Sequence, residues 1–377
     1  MRLFAGLVGF VLIAIILGDA FEAIVLPRRV RRRLRFTSVF YHYTWLPWRR
    51  LVVHLPKRRR ETWLGFFGPL SLIFLLLSWA IVLIVGFALL HWAGGMRLSG
   101  NMDTGFGEAL YFSGTTFTTL GLGDVTPTSP YARLLAVGEA GTGFGFLAMV
   151  IGYLPVIYQA FSRRESHISL LDARAGSPPA AGEILRRYAE AHALDKLTGL
   201  LLDFDHWAAE LLESHISYPV LALFRSQHNN ESWVAALTAI LDLCALILVG
   251  VPDTDPHQAR LTFAMSRHVA VDLAQVLKTP PTPLPQNRLP DTELARLRQS
   301  LAAYGAKLPD GLVADAKLAE LRRLYEPYVC ALANHLVLDL PPWLAAEGAH
   351  DNWQTSAWEH VARRIPLDGV ILRDDHL

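Results

Sequence analysis

Cysteine is close to absent: Cys244 and Cys330 are the only two in 377 residues. They lie far apart and without metal-ligand spacing, which argues against a disulfide framework and a thiolate metal centre. Two buried free thiols in a reducing compartment are expected. Acidic residues are missing from the whole stretch 27–60, which carries twelve Lys and Arg. From Phe161 onward the balance reverses, with twenty basic against twenty-seven acidic residues. Basic charge is therefore local, and a long acidic remainder excludes nucleic acid as an expected partner. The period-two alternation of β-strands is also missing. So is any nucleophile–base set or phosphate loop, which leaves an enzyme reading without residues to rest on.

What is present is apolar length. Hydrophobic residues make up 52% of the chain, and three stretches, 3–26, 66–92 and 134–161, each reach the roughly 20 residues a membrane helix needs. Glu108 to Thr118, between the second and third, is too short to cross. The basic cluster between the first and second stretches, and Arg163 and Arg164 after the third, belong on the cytoplasmic side. Three crossings with Met1 outside satisfy both. Cleavage of the first stretch after Gly18-Asp19-Ala20 would export the arginine cluster, so it is read as a retained span. Asp19 and Glu22 share a helix face near its cytoplasmic end. Pairing with the arginines beyond is the favoured role, an ion-pathway role the alternative. Segment 27–62 is also aromatic, with Phe36, Phe40, Tyr41, Tyr43, Trp45 and Trp48, and suits a segment lying on an anionic leaflet. A solvated connector is the other reading.

Beyond Phe161, Ser177-Pro178-Pro179 reads as a linker. Helical spacing then recurs over 181–201, 203–216, 231–250, 258–277, 291–304, 313–336 and 353–364. Thr279 to Pro290 holds five prolines and is expected to be an extended loop. The segment 233–251 is apolar enough to cross, but Asp242 at its centre would cost a few kcal/mol in lipid. It is read as a buried core helix. Asp203, His206, Glu210 and Glu213 share one helix face, read as solvated rather than metal-binding. Arg225, Ser226, Gln227 and His228 could form a ligand or subunit contact.

The chemistry lies in Ala109 to Asp124, where a half-length amphipathic segment runs into Thr119-Leu120-Gly121-Leu122-Gly123-Asp124. A dehydrating cation needs a cage of oxygens. A strand of alternating hand can aim successive carbonyls to one side, and Gly121 and Gly123 adopt such dihedrals without a Cβ clash. A helix pointing its C-terminus at the same place favours a cation there.

This arrangement resembles the pore helix and selectivity filter of the potassium channel superfamily, in its bacterial form with two spans and one pore loop, here with an extra N-terminal span. The likeness covers about Phe66 to Glu165. It implies K⁺ held by the carbonyls of Thr119, Leu120, Gly121 and Leu122 and no other cofactor, with Thr118, Gly123, Asp124, Tyr111 and Thr115 supporting the filter. Gly143 aligns with the family's inner-helix hinge glycine, and packing is the equal alternative. Gly138, Gly141, Gly145 and Gly152 are candidate packing glycines. Glu139, an acid inside the third span, is expected to bond Tyr111, Thr115 or a neighbouring subunit rather than an ion. One departure matters: Leu122 stands where the family carries a Tyr.

The apolar stretches and helical spacing, with the pore loop that the resemblance implies, lead to the expectation of an all-α membrane protein with three transmembrane helices, a re-entrant pore helix and filter, and an all-helical cytoplasmic domain. The expected divisions are a transmembrane helix at 1–26, the basic aromatic segment at 27–62, a pore domain at 63–165, a linker at 166–180 and the helical domain at 181–377. One pore loop cannot enclose an axis, so three identical subunits are implied as partners in a bacterial plasma membrane. A cytoplasmic ligand of unknown class is a further candidate partner.

Overall fold

The computed structural model describes residues 1–26, 36–95, 105–227, 230–283 and 285–345, without the Arg58 side chain. Among these residues every regular element is helical. The chain divides into two compact units, Met1–Gln159 and Ala160–Leu377, described separately below.

The first unit contains α1 (Arg2–Ala20), α2 (Phe36–Val53), α3 (Lys57–Ala93), α4 (Phe106–Phe117) and the first part of α5 (Pro130–Ala175). α1 lies along α3, and glycine makes the approach close. A Cβ on Gly9 would stand 2.6 Å from the Gly86 carbonyl, and one on Gly86 would stand 2.8 Å from Ile13. Helices without a hydrophobic drive between them associate through such close backbone contact. Asp19 is buried at the end of α1. Its Oδ2 accepts from the Thr37 amide at 3.0 Å and from Trp79 Nε1 at 3.1 Å. Arg28 to Arg35, its expected partners, lie outside the described residues. α2 packs on the start of α3 through aromatic contacts, Trp45 on Phe67 and Trp48 on Trp63.

The end of α5 departs from expectation. α5 continues unbroken to Ala175, so most of the linker placed at 166–180 is helix. Its apolar spacing persists there, with Ile168, Leu171 and Ala175 buried, and nothing halts it before Gly176, which takes φ +77. Gly138, Gly141, Gly145 and Gly152 have no neighbour within 4 Å of a Cβ position. They are not packing glycines within the described chain, because the docked face of α5 carries Glu139, Gly143 and Phe146 instead.

The second unit holds the end of α5 and α6 (Ala181–Glu190), α7 (Leu197–Ser217), α8 (Trp233–Gly250), α9 (Pro256–Val276), α10 (Asp291–Ala303), α11 (Leu312–Arg323) and α12 (Glu326–Leu336). The helix expected over 181–201 breaks where His192 turns left-handed at φ +51. The one expected over 313–336 breaks before Pro327, which fits only the first turn of a new helix. The segment 353–364 lies outside the described residues.

α8 is the centre of this unit. It is long and apolar enough to cross a bilayer, as are α1, α3 and α5. Every residue from Trp233 to Ile247 is buried, packed by α6, α7, α9, α11 and α12. Its Asp242 is wholly buried and clamped by Arg288, with Nη2–Oδ2 at 2.6 Å and Nη1–Oδ1 at 3.2 Å, and by the Tyr325 hydroxyl. Arg288 sits near the end of the proline-rich loop and also reaches Glu326 at 3.2 Å and the Pro341 carbonyl at 2.8 Å. The Arg288 guanidinium thus helps fasten the loop to the core, together with the Thr282 amide on the Pro327 carbonyl and Arg322 on Asn287. Both cysteines are buried and free.

Candidate functional site

Within the first unit, α4 runs from Phe106 to Phe117, a length of about 18 Å at 1.5 Å per residue, too short to cross a bilayer. It ends at the candidate filter. There the backbone alternates in hand: Thr119 takes φ +59, Gly121 φ +50 and Gly123 φ +80, while Leu120 and Leu122 do not take positive φ. Alternation turns successive peptide planes so that their carbonyls fall on one side. Glycine takes such angles freely, whereas a β-branched Thr119 is strained there by roughly 1–3 kcal/mol.

Hydrogen bonds from the strand back to α4 hold that strained start. The Thr119 amide donates to the Thr116 carbonyl at 3.0 Å, and the Leu120 and Gly121 amides share the Thr115 carbonyl at 2.9 and 3.2 Å. The hydroxyls of Thr115 and Thr118 donate to the carbonyls of Phe112 and Gly114. At the outer end the Tyr111 hydroxyl donates to Asp124 at 2.8 Å. The side chains of Leu120 and Leu122 are each 61% exposed. The Tyr111-Phe112 pair divides its work: Tyr111 reaches Asp124, while Phe112 is buried edge-on to His91 at 5.1 Å.

Glu139 does not meet Tyr111 or Thr115. It is fully buried, bonded through Oε1 to the Ser113 hydroxyl and through Oε2 to His91 Nε2 at 3.0 Å. Ser113 Oγ also lies 2.7 Å from the Ile84 carbonyl. The expected partners stand on other faces of α4: Tyr111 points to the filter mouth, and the Thr115 hydroxyl is turned back onto its own helix. His91 and Ser113 were not legible as partners. The only sequence signal is that His91 and Glu139 are lone polar groups within apolar spans. One turn along α5, Gly143 packs on the end of α4, where a Cβ would stand 1.9 Å from the Phe117 carbonyl.

In the second unit, Asp203, His206, Glu210 and Glu213 are all exposed on α7. Among the described residues no three His, Cys, Asp or Glu are grouped to hold a metal ion. Arg225 is used within the fold, donating to the carbonyls of Leu336 at 2.6 Å and Val337 at 2.9 Å. Ser226 donates to Glu165, Gln227 is exposed, and His228 lies outside the described residues. Arg164, buried on α5, donates to the carbonyls of Leu221 and Phe224, both at 2.8 Å, and stacks on Phe161. His215 faces it, with Nε2 at 3.4 Å from Arg164 Nη1 and Nδ1 at 2.9 Å from the Leu211 carbonyl. Burial pushes the His215 imidazole well below its usual range, and the Arg164 charge acts the same way.

Residues 72–159 match the family model described as "Ion channel". A curated relative, "Uncharacterized membrane protein YdjJ" of Bacillus subtilis (strain 168), is 22% identical over 207 residues. That match covers 54% of this chain and 60% of the relative. No solved structure matches the chain. The segment that is similar to this ion-channel family contains α4, the candidate filter strand, Tyr111, Asp124, Glu139 and Gly143.

Proposed function

We propose that this chain is one subunit of a homotetrameric potassium channel that passes K⁺ down its gradient. The carrying observation is the alternating hand at Thr119, Gly121 and Gly123 directly after a half-length helix. Four such strands around an axis would present rings of carbonyl oxygens from Thr119, Leu120, Gly121 and Leu122, replacing the water of a K⁺ ion. Asp124, held by Tyr111, and the hydroxyls of Thr115 and Thr118 support the strand. α1, α3 and α5 are the spans, Met1 lies outside the bacterial plasma membrane, and the second unit lies in the cytoplasm. There it senses a ligand or stabilises the assembly. In this reading the proposed hinge role of Gly143 gives way to close packing, which by itself requires a glycine there.

Leu122 supports a second reading, a weakly selective cation channel. Its exposed aliphatic side chain has no hydroxyl with which to tether the filter. One measurement separates the two. Purified full-length protein in planar bilayers, with a K⁺-rich, Na⁺-poor solution on one side and a Na⁺-rich, K⁺-poor solution on the other, should show a reversal potential near the K⁺ equilibrium potential. A reversal near zero would favour the second reading, and the absence of any cation current would overturn both.

A further inference from the structure

We propose that His91 is a positioning residue for the filter: through Glu139 and Ser113 it locks the register of α5 against α4, and so sets where the Thr115 carbonyl holds the filter strand. This deepens the channel reading and rests on it for its effect on permeation.

Three polar side chains from three helices meet out of contact with solvent. His91 of α3, Ser113 of α4 and Glu139 of α5 each have no exposed surface. Burying such groups is costly unless they bond one another, and apolar side chains could fill the same space at less cost. A retained buried polar cluster between helices is best attested as a device for fixing register. The geometry here suits that role. Glu139 and Gly143 lie one turn apart on α5, and Ser113 and Phe117 lie one turn apart on α4. Glu139 bonds Ser113, and Gly143 packs on the Phe117 carbonyl. A slip of α5 by one residue would rotate its face by about 100°. The carboxylate would leave Ser113, and a side chain would be driven into the Phe117 carbonyl.

His91 completes this latch. Its Nε2 holds the second carboxylate oxygen at 3.0 Å, and its ring stands edge-on to Phe112, at 89° between planes. Glu139 is thereby held from α3 as well as from α4. Two residues past Ser113, the Thr115 carbonyl takes both the Leu120 and the Gly121 amides. Movement of α4 is therefore passed directly to the first turn of the filter.

The test uses the full chain in lipid nanodiscs and compares wild type, His91→Phe and His91→Gln. The first readout is hydrogen exchange at the Leu120 and Gly121 amides, which does not depend on conduction. The second is the K⁺/Na⁺ permeability ratio. His91→Phe keeps a ring against Phe112 but has no donor. It should raise exchange at both amides tenfold or more while α8 amides stay at wild-type protection, and it should lower the permeability ratio. His91→Gln, which retains a donor, should recover most of both. If His91→Phe does not fold, His91→Phe with Glu139→Leu removes the orphaned acid and should fold with the same loss of protection. Wild-type protection at Leu120 and Gly121 in a folded variant lacking the donor would overturn the proposal. So would equal loss of protection throughout the chain, or a permeability ratio that does not move. A wild-type protein that does not prefer K⁺ would instead overturn the function proposed above, and the exchange readout would still decide the role of His91.

Discussion

Gly143 of α5 lies flat against the Phe117 carbonyl at the end of α4, so close that a Cβ would stand 1.9 Å from that oxygen. No rotamer relieves such a contact, because both sides are backbone. Gly143→Ala should therefore force the two helices apart, at a cost of about 1–3 kcal/mol or more for overpacking. The expected result is a lower thermal midpoint of the purified protein together with altered conduction. Altered open probability at an unchanged midpoint would point to a hinge.

The bond from Tyr111 to Asp124 at 2.8 Å holds the outer end of the filter strand. Tyr111→Phe and Asp124→Ala should both shorten openings, and the double variant should be less impaired than the sum of the two, since they share one contact. Leu122→Tyr should raise K⁺ preference or lengthen openings relative to wild type. Single-channel recording reads all four proteins. Unchanged selectivity and open time in Leu122→Tyr would show that packing of Leu122 suffices.

Removing Arg288 would leave Asp242, at the centre of α8, without its guanidinium partner and with only the Tyr325 hydroxyl as donor among those described. Arg288→Met should destabilise the second unit by about 3–5 kcal/mol, the usual cost of breaking a buried ion pair from one side. Arg288→Met combined with Asp242→Leu should recover much of this. Denaturant unfolding followed by tryptophan fluorescence would resolve the order, with Trp343 a reporter because it stacks on Arg288 and Arg322.

His215 gives the second unit an acid-sensitive stability. Its folded-state affinity for a proton lies well below the unfolded one, so the unfolded chain takes up the proton first. Stability is full above the unfolded value of about 6.5 and falls as the pH drops below it, by up to about 1.4 kcal/mol per pH unit. Thermal midpoints between pH 7.5 and 5 should decline, and His215→Gln, which can still accept from Arg164, should flatten the decline. An identical slope in the variant would remove His215 as its source.

The proposed orientation is checked with tags. A tag at Met1 should be cleaved by external protease in intact spheroplasts, and one after Leu377 should be protected. Equal protection at both ends would overturn the map.

Much of the helical framework and of the strand after α4 was legible in the sequence because their physics is local. A span must be continuously apolar, so α1, α3 and α5 stand out in the chain. A strand of alternating hand needs glycine at alternate positions, so Gly121 and Gly123 point to themselves. Thr119 did not, because its left-handed turn is imposed by the Thr115 and Thr116 carbonyls against its own preference. The helix runs past the start drawn for the linker for a related reason. Arg163, Arg164 and Glu165 read as the end of a span, yet charge does not stop a helix, and Gly176 does.

The sequence by itself determined which segments are apolar enough for lipid, where the half-length helix stops, and that the strand after it can alternate in hand. Tertiary structure decided who meets whom. His91 and Glu139 are 48 residues apart, and Asp242 and Arg288 are 46 apart. Each is a polar group that could not stay buried without its partner, so the sequence announced the need but not the answer. Only the packing of α3, α4 and α5 chose Ser113 and His91 over Tyr111 and Thr115 for Glu139, because a buried carboxylate takes the donors on the faces that close packing turns toward it.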